Sequence, residues 1–503
     1  MPRSIKLHPD DNVVVAVDAF AAGDEVLSVA ATTRVPRGHK MALVTIAAGG
    51  AVVKYGQVIG FAKAEIQPGE WVHEQNVALH DFERDYQFSA ARGPNVRVPD
   101  DARRTFQGYR RANGRWGTRN YIAVLTSVNC SATAARHIAA EVERRGVLKD
   151  YPNIDGVISL VHGSGCAIDT NGEDYNLLKR TQWGYATNPN VGGVLMVGLG
   201  CEAFQIPRWK EAYGIEEDTT FQTLTIQEVG GTRATVEKGV QAIIDMLPTV
   251  NNVKRETAPI SELVLALQCG GSDGYSGITA NPALGAAVDM LVQHGGTAIL
   301  SETPEIYGAE HLLTRRAETR EVGEKLVERI HWWEEYTARN NMQMNNNPSP
   351  GNKAGGLTTI LEKSLGAAAK GGSTNLVDVV NYAEPVTSHG LVFMDTPGYD
   401  PVAATGQVAG GANILCFTTG RGSAFGCKPT PSIKLATNTF IFDHMREDMD
   451  INCGDILDGV SLEEKGAEIF EAIIRVASGE RTKSEELGYG DNEFVPWLVG
   501  ATM

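Results

Sequence analysis

Four of the seven cysteines in this 503-residue chain each close an apolar run. They are Cys130 in TSVNC, Cys166 in HGSGC, Cys201 in GLGCE and Cys269 in LQCGG. A thiol at the end of a buried strand can be a small core residue, a nucleophile or a soft metal ligand. Four repeats of one placement favour a shared role. No CxxC pair occurs, so a preformed zinc knuckle is disfavoured and the expected site is an open one assembled by the fold. His162 follows the apolar run GVISLV four residues before Cys166. Glu202 beside Cys201 and Glu302 after TAILS repeat the placement with carboxylates.

Three loops add polar chemistry. NNNPSPGNKAGG, residues 345–356, offers Asn and Lys on a backbone shaped by Pro and Gly, and it reads as irregular structure. FTTGRGSAFG, residues 417–426, offers hydroxyls, backbone N–H groups and Arg421, whose planar fork suits a carboxylate. The turn PRGHK places His39 and Lys40 together, and read alone it is a solvated hairpin tip. Neither a Walker A order nor a GxGxxG between strand and helix is present, so nucleotide binding finds little support.

The elements that must carry these groups follow from the apolar pattern. Residues 1–90 alternate short apolar runs (VVVAV, ALVTIA, VIGFA) with turn signals such as PRGH and QPGE, which predicts a small barrel or clip-like β module. Residues 91–107 lack periodicity and read as a linker. From residue 108, β-like runs alternate with helical patterns, the signature of parallel α/β sheets. Two such domains are expected, over residues 108–255 and 256–503, and one long helix is expected across residues 310–340. The net charge of −16 argues against nucleic acid and acidic membrane surfaces, and no apolar run reaches membrane-spanning length. The N-terminal residues carry no signal-peptide core, so the chain is expected to be cytoplasmic with reduced thiols.

Taken together, GYRRANGRWGTRN, GLGCE, QCGGSDGYSGITANP, NPSPGNKAGG and FTTGRGSAFG resemble the altronate/galactarate dehydratase family, which also includes two-subunit sulfolactate sulfo-lyases. The likeness spans nearly the whole chain, with PRGHKMAL similar to the turn of a SAF, or β-clip, domain. It implies an α/β protein with an N-terminal SAF domain and two Rossmann-like domains. It also implies metal-dependent loss of water from a six-carbon sugar acid, giving a 2-keto-3-deoxy acid. PEIYGAEHLL and NPSPGNKAGGLTTILEKSLG look closer to the altronate type, which makes D-altronate the expected substrate. Galactarate, sulfolactate and a non-catalytic acid sensor are the alternatives. Mapped onto this chain, Cys130, Cys166, Cys201 and Cys269 would hold Fe2+, or another divalent metal such as Mn2+, as a single ion or as an iron–sulfur cluster. Ser272, Asp273, Asn281, Glu302, Asn352, Thr419 and Arg421 would bind substrate. His39, His162 and Lys353 would be catalytic, His39 on a module that closes the site. The implied partners are a small-molecule acid and, as an assembly the sequence permits, a second copy in a homodimer.

Overall fold

The computed structural model describes residues 2–80, 84, 86–94 and 96–500. Residues 81–83, 85 and 95, where the β module meets the connecting segment, lie outside the described residues.

The most apolar runs become the central strands of parallel sheets, as burial on both faces requires. Val264–Cys269 and Ile414–Thr419 lie side by side in a seven-stranded, all-parallel sheet. Across that sheet the order is Leu376–Val380, Leu391–Met394, Thr297–Leu300, Val264–Cys269, Ile414–Thr419, Ser432–Ala436 and Ile451–Asn452. The chain thus builds outward on one side of Val264–Cys269 and then returns to build on the other. The reversal falls between Val264–Cys269 and Ile414–Thr419, and outside the carboxyl ends of such strands open sheets form their ligand crevice. Helices Ala280–Gln293 and Leu462–Ala477 pack together on this domain. Helix Asp400–Ala409 packs against Glu173–Ala186 of the preceding domain.

That preceding domain has four parallel strands in the order Gly156–Leu160, Tyr121–Thr126, Val191–Gly198 and Phe221–Thr225. Its reversal lies between Tyr121–Thr126 and Val191–Gly198. Ahead of it, the N-terminal module folds from short antiparallel strands into sheets of four, three and two strands.

Three local features differ from the sequence expectation. The segment read as a linker ends in a strand, Thr105–Arg110, paired antiparallel with Trp116–Gly117 and with Arg255–Pro259 at the domain junction. Phe106 is buried there, and the Val98 N–H donates to the Gln293 carbonyl at 2.9 Å, so partners outside the segment supply the order its own pattern lacks. The expected long helix is two helices, His311–Thr314 and Arg320–Arg339, because the Thr319 hydroxyl accepts from the Val322 N–H and starts a new helix. The 345–356 loop contains a helical turn, Pro350–Ala354, begun by a reciprocal cap between Ser349 and Asn352.

The β module is pinned to the C-terminal domain. Lys40 and Lys54, both buried, meet the single carboxylate of Glu362 at 2.8 and 2.9 Å. The Tyr275 hydroxyl donates to the Val17 carbonyl at 2.9 Å. At Gly274 a β-carbon would fall 1.9 Å from the Gly38 carbonyl oxygen, so only glycine permits this approach.

Candidate active site

Cys269 ends its strand at the reversal point and is 3% exposed. Glu302 follows the neighbouring strand Thr297–Leu300, and Glu305 lies in the turn Thr303–Ile306. The Cys269 Sγ lies 3.8 Å from Glu302 Oε2 and 3.6 Å from Glu305 Oε2. Glu302 has a φ of 70°, a left-handed conformation costly for a non-glycine residue, and its N–H donates to the Thr396 hydroxyl at 2.9 Å. Two buried ammonium groups complete the cluster. Lys370 Nζ donates to Cys269 Sγ at 2.9 Å and lies 3.5 Å from Glu302 Oε2. Lys363 Nζ donates to Glu305 Oε1 at 2.6 Å and to Asn347 Oδ1 at 2.8 Å. Asp400 lies behind Gly270.

Burial and charge set the protonation states. Burial pushes the Cys269 thiol up to about 12, and Lys370 counteracts only part of that. Burial, and then the charge of Glu305, holds Glu302 well above the usual carboxylate range. Burial also works against ionised Glu305, but Lys363 and Lys370 overcome it and keep this carboxyl below its ordinary value. Asp400 is raised to about 6, by burial and then by Glu305.

A divalent metal fits this cluster. Ligand atoms of Cys269, Glu302 and Glu305 all lie within 4.8 Å of one another, and among the described residues no other group of three or more His, Cys, Asp or Glu meets that condition. Glu302 Oε1 is buried without a hydrogen-bond partner, an expensive state unless something else accepts its lone pairs. With the thiol and Glu302 both ionised, as ligation requires, four anionic groups (Cys269, Glu302, Glu305, Asp400) face two ammonium groups, so a dication would balance the cluster.

Beside it, a hollow of about 320 Å³ opens where the β module meets the sheet edge, lined by Arg37, Asp273, Tyr275, Arg421, Asn438 and Phe440 among others. The Arg421 N–H donates to the Gly271 carbonyl at 3.0 Å, which places the loop two residues along the chain from Cys269. The Arg421 side chain is exposed and has no hydrogen bond or ion pair among the described residues. Buried Asp273 accepts from the Tyr275 N–H and the Ser276, Thr437 and Asn438 side chains, so it organises the wall. Other residues named from sequence spend their polar atoms on this scaffold. Asn281 donates to the Gly366 carbonyl and accepts from Thr418; Asn352 donates to the Ser272 carbonyl; the Thr419 hydroxyl accepts from the Gly422 N–H.

A second hollow, of about 500 Å³, lies along the same seam, between His39, Trp71, His73 and Glu74 of the module and Pro350, Lys353 and Ala354 of the loop. Trp71 Nε1 donates to His39 Nδ1 at 3.2 Å, which leaves Nε2 as the protonated nitrogen, 3.3 Å from the Ala354 carbonyl. Burial, and then the nearby His73, lowers His39 to about 4, so its imidazole is neutral near pH 7. His39 is therefore a buried seam residue, whereas its turn read alone suggested a solvated hairpin tip. Lys353 pairs with Glu74 at 3.1 Å, and His73 Nδ1 is buried without a partner.

The structure does not bring the four strand-end thiols to one ion. Cys269 is buried in the C-terminal domain, whereas Cys130, Cys166 and Cys201 are exposed on the second domain, because the four strands belong to two different sheets. His162 also lies there, with both ring nitrogens committed: Nε2 donates to the Thr126 carbonyl at 2.8 Å and Nδ1 accepts from the Ser164 N–H at 3.2 Å. It is buried, and burial lowers it to about 4. Glu305, Lys363, Lys370, Asp400, Arg37 and His73 escaped the sequence reading. Lys363 and Lys370 did leave a signal: two lysines seven residues apart within the helical stretch ILEKSLGAAAKGG, where only Glu362 and Ser364 otherwise interrupt the apolar residues and glycines.

Comparison with known proteins gives this architecture a family. Residues 2–80 match the model described as altronate/galactarate dehydratase SAF domain, 108–251 that of the D-galactarate dehydratase/altronate hydrolase second domain, and 260–502 that of the D-galactarate/altronate dehydratase C-terminal domain. The chain is 39% identical over 500 residues to the galactarate dehydratase (L-threo-forming) of Escherichia coli strain K12, covering 96% of this chain and 94% of that protein. The chain belongs to the altronate/galactarate dehydratase family. It is 36% identical over 494 residues to the altronate dehydratase of Bacillus subtilis strain 168, covering 97% of each. It is also 33% identical over 398 residues to the (2R)-sulfolactate sulfo-lyase subunit beta of Chromohalobacter salexigens, covering 78% of this chain and 97% of that one. As in the sequence expectation, an N-terminal SAF domain precedes α/β domains. Among the described residues no helix is long and apolar enough to cross a membrane.

Proposed function

We propose that this family member is a metal-dependent hydro-lyase that converts a sugar acid, D-altronate, to its 2-keto-3-deoxy acid and water at the reversal-point crevice of the C-terminal domain, in the cytoplasm. The observation that carries this reading is the adjacency of two features on one sheet edge: a buried Cys269–Glu302–Glu305 ligand set and an anion-sized hollow that presents Arg421. The proton beside a carboxylate is hard to remove because charge develops on the carboxylate as it leaves, so fixed positive groups at that carboxylate lower the barrier. Arg421 and Arg37 face the hollow from opposite sides of the seam and are assigned to the substrate carboxylate.

Cys269, Glu302 and Glu305 would hold the metal, and the thiolate among them favours iron over magnesium. When bound, the ion supplies Lewis acidity toward the substrate's carboxylate and hydroxyl oxygens. Lys363 and Lys370 keep the Glu305 carboxylate anionic, Lys370 offsets part of the burial that protonates the Cys269 thiol, and a bound dication would displace that thiol proton. His39 and Lys353 stand on the seam as the candidates to handle the C2 proton; His39, neutral near pH 7, would take it at Nδ1 in exchange for the Trp71 hydrogen bond. The N-terminal domain then completes the site rather than merely covering it.

Galactarate is the second reading, favoured by two guanidinium groups at one hollow and by the galactarate dehydratase relative. Anaerobic assay of the iron-loaded protein against altronate, galactarate and other six-carbon acids, with keto-acid product as the readout, separates these readings. Keto acid from altronate is the expected result. Binding without product from any acid would replace this reading with the sensor, and sulfite released from sulfolactate would replace it with the sulfo-lyase.

A further inference from the structure

We propose that Cys130, Cys166 and Cys201 form a three-thiolate site for an iron–sulfur cluster on the second domain, separate from the buried Cys269 site. The other four cysteines of the chain, Cys269, Cys416, Cys427 and Cys453, are buried, so all three exposed thiols lie on loops that leave three neighbouring parallel strands at one end of one sheet. Strand register aligns Leu125 with Leu160 and Thr126 with Val197. Adjacent strands are about 4.8 Å apart, so the three loops start within roughly 10 Å of one another. Cys130, Cys166 and Cys201 follow a few residues on, around the reversal point of this sheet.

The loops are tied to each other rather than left free. The Asn129 N–H donates to the Ser164 carbonyl at 2.9 Å, the Phe204 N–H to the Gly165 carbonyl at 3.0 Å, and the Ala203 N–H to the Cys166 carbonyl at 3.3 Å. Each hydrogen bond joins residues within three positions of the thiols. Gly165, at φ 98°, brings the Cys166 loop so close to the Cys130 loop that a β-carbon there would lie 2.2 Å from the Ser127 carbonyl oxygen. His162 and Glu202 then acquire a purpose. His162 fixes the turn that carries Cys166 through its bonds to Thr126 and Ser164. Glu202 fixes the turn that carries Cys201, accepting from the Ser127 hydroxyl and from the Leu199 and Gly200 N–H groups. Both are positioning residues.

The spacing argues for a cluster over a single ion. Thiolates on one tetrahedral ion, with metal–sulfur bonds of about 2.3 Å, lie roughly 4 Å apart. At least one pair among these three sulfurs exceeds 4.8 Å, since the trio does not form a group within that limit. A cubane of four irons spans a wider set, and three protein thiolates leave one iron without a cysteine ligand, open to an oxygen donor. Assembly of the cluster consumes two ferrous ions, two ferric ions and four sulfides and releases the three thiol protons to solvent, so no electron is left over and the chain itself undergoes no redox change.

The test needs no turnover, so it stands or falls apart from the dehydratase reading. The full chain is reconstituted anaerobically with equal amounts of ferrous and ferric iron and with sulfide, and bound iron, acid-labile sulfide and visible charge-transfer absorption are measured. About four sulfides per chain are expected for the parent protein. Cys130→Ala, Cys166→Ala and Cys201→Ala should each lose most of the sulfide and absorption while keeping the parent's circular dichroism, and Cys269→Ala should keep both signals. No sulfide in the parent, uptake of a single zinc in its place, full sulfide in the three variants, or loss in Cys269→Ala would overturn the proposal. His162→Gln adds a check on folding, because partial cluster loss in a protein with an unchanged melt is expected from a positioning role.

Discussion

Glu362→Gln probes the seam on which the proposed site depends. Glu362 sits where the β module meets the C-terminal domain, and its carboxylate receives Lys40 at 2.8 Å, Lys54 at 2.9 Å, and the Thr358 N–H and hydroxyl at 2.9 and 2.8 Å. At an effective dielectric of about 20, each ion pair at this separation is worth roughly 6 kcal/mol before desolvation is subtracted. Breaking a buried pair by removing one partner costs about 3–5 kcal/mol, because the other charge is stranded. Glutamine keeps the volume and the Thr358 contacts but strands two ammonium groups, so a loss at the upper end of that range is expected. At 1.4 kcal/mol per decade a loss of about 4–5 kcal/mol corresponds to a roughly 10³- to 4 × 10³-fold fall in the docked population of the module. Hydrogen exchange of residues 38–42 and 51–55 reads undocking directly, and urea unfolding reads the total loss. Replacing all three by apolar residues, Lys40→Met, Lys54→Met and Glu362→Leu, should recover most of it. Unchanged seam exchange together with an unfolding free energy within about 0.5 kcal/mol of the parent would refute the pinning argument.

Arg421→Ala should raise KM for the acid by roughly 10- to 100-fold through loss of a charged hydrogen bond, in steady-state assay, and Arg421→Lys should restore only part of it. His39→Ala should lower kcat by about 10²- to 10⁴-fold if it handles the proton, and retained turnover would return that role to Lys353. The pH response of the seam has a definite sign. Burial opposes ionised Glu362, but Lys40 and Lys54 overcome it and hold this carboxyl far below its ordinary 4.5. Its contribution is therefore fully present above pH 4.5 and disappears as pH falls toward the folded value, so acid should speed seam exchange in the parent and change it much less in Glu362→Gln.

Much of the scaffold was legible from apolar periodicity alone. YIAVLT and VLALQC are apolar on both faces, which only a covered parallel sheet accommodates, and the turn-rich first 80 residues could build little but short antiparallel strands. Cys269 and Arg421 were legible because one ends such a strand and the other sits in the polar loop that follows one. Glu305, Lys363 and Lys370 were not, since what makes them unusual is burial among opposite charges, and burial is a property of the fold. The 91–107 segment misled for a related reason: Phe106 and the Val98 backbone find their order in partners more than 150 residues away. The thiols misled most. Equivalent positions at strand ends do not imply one site when the strands belong to two sheets.

The central claim is that the C-terminal crevice itself holds a divalent ion through Cys269, Glu302 and Glu305. Ferrous iron binding, measured anaerobically without sulfide in a Cys130→Ala/Cys166→Ala/Cys201→Ala background, isolates that site from the exposed thiols. One ion per chain is predicted, lost or weakened at least tenfold in Cys269→Ala and in Glu302→Gln. No stoichiometric binding in the parent background, or undiminished binding after both substitutions, would contradict the account.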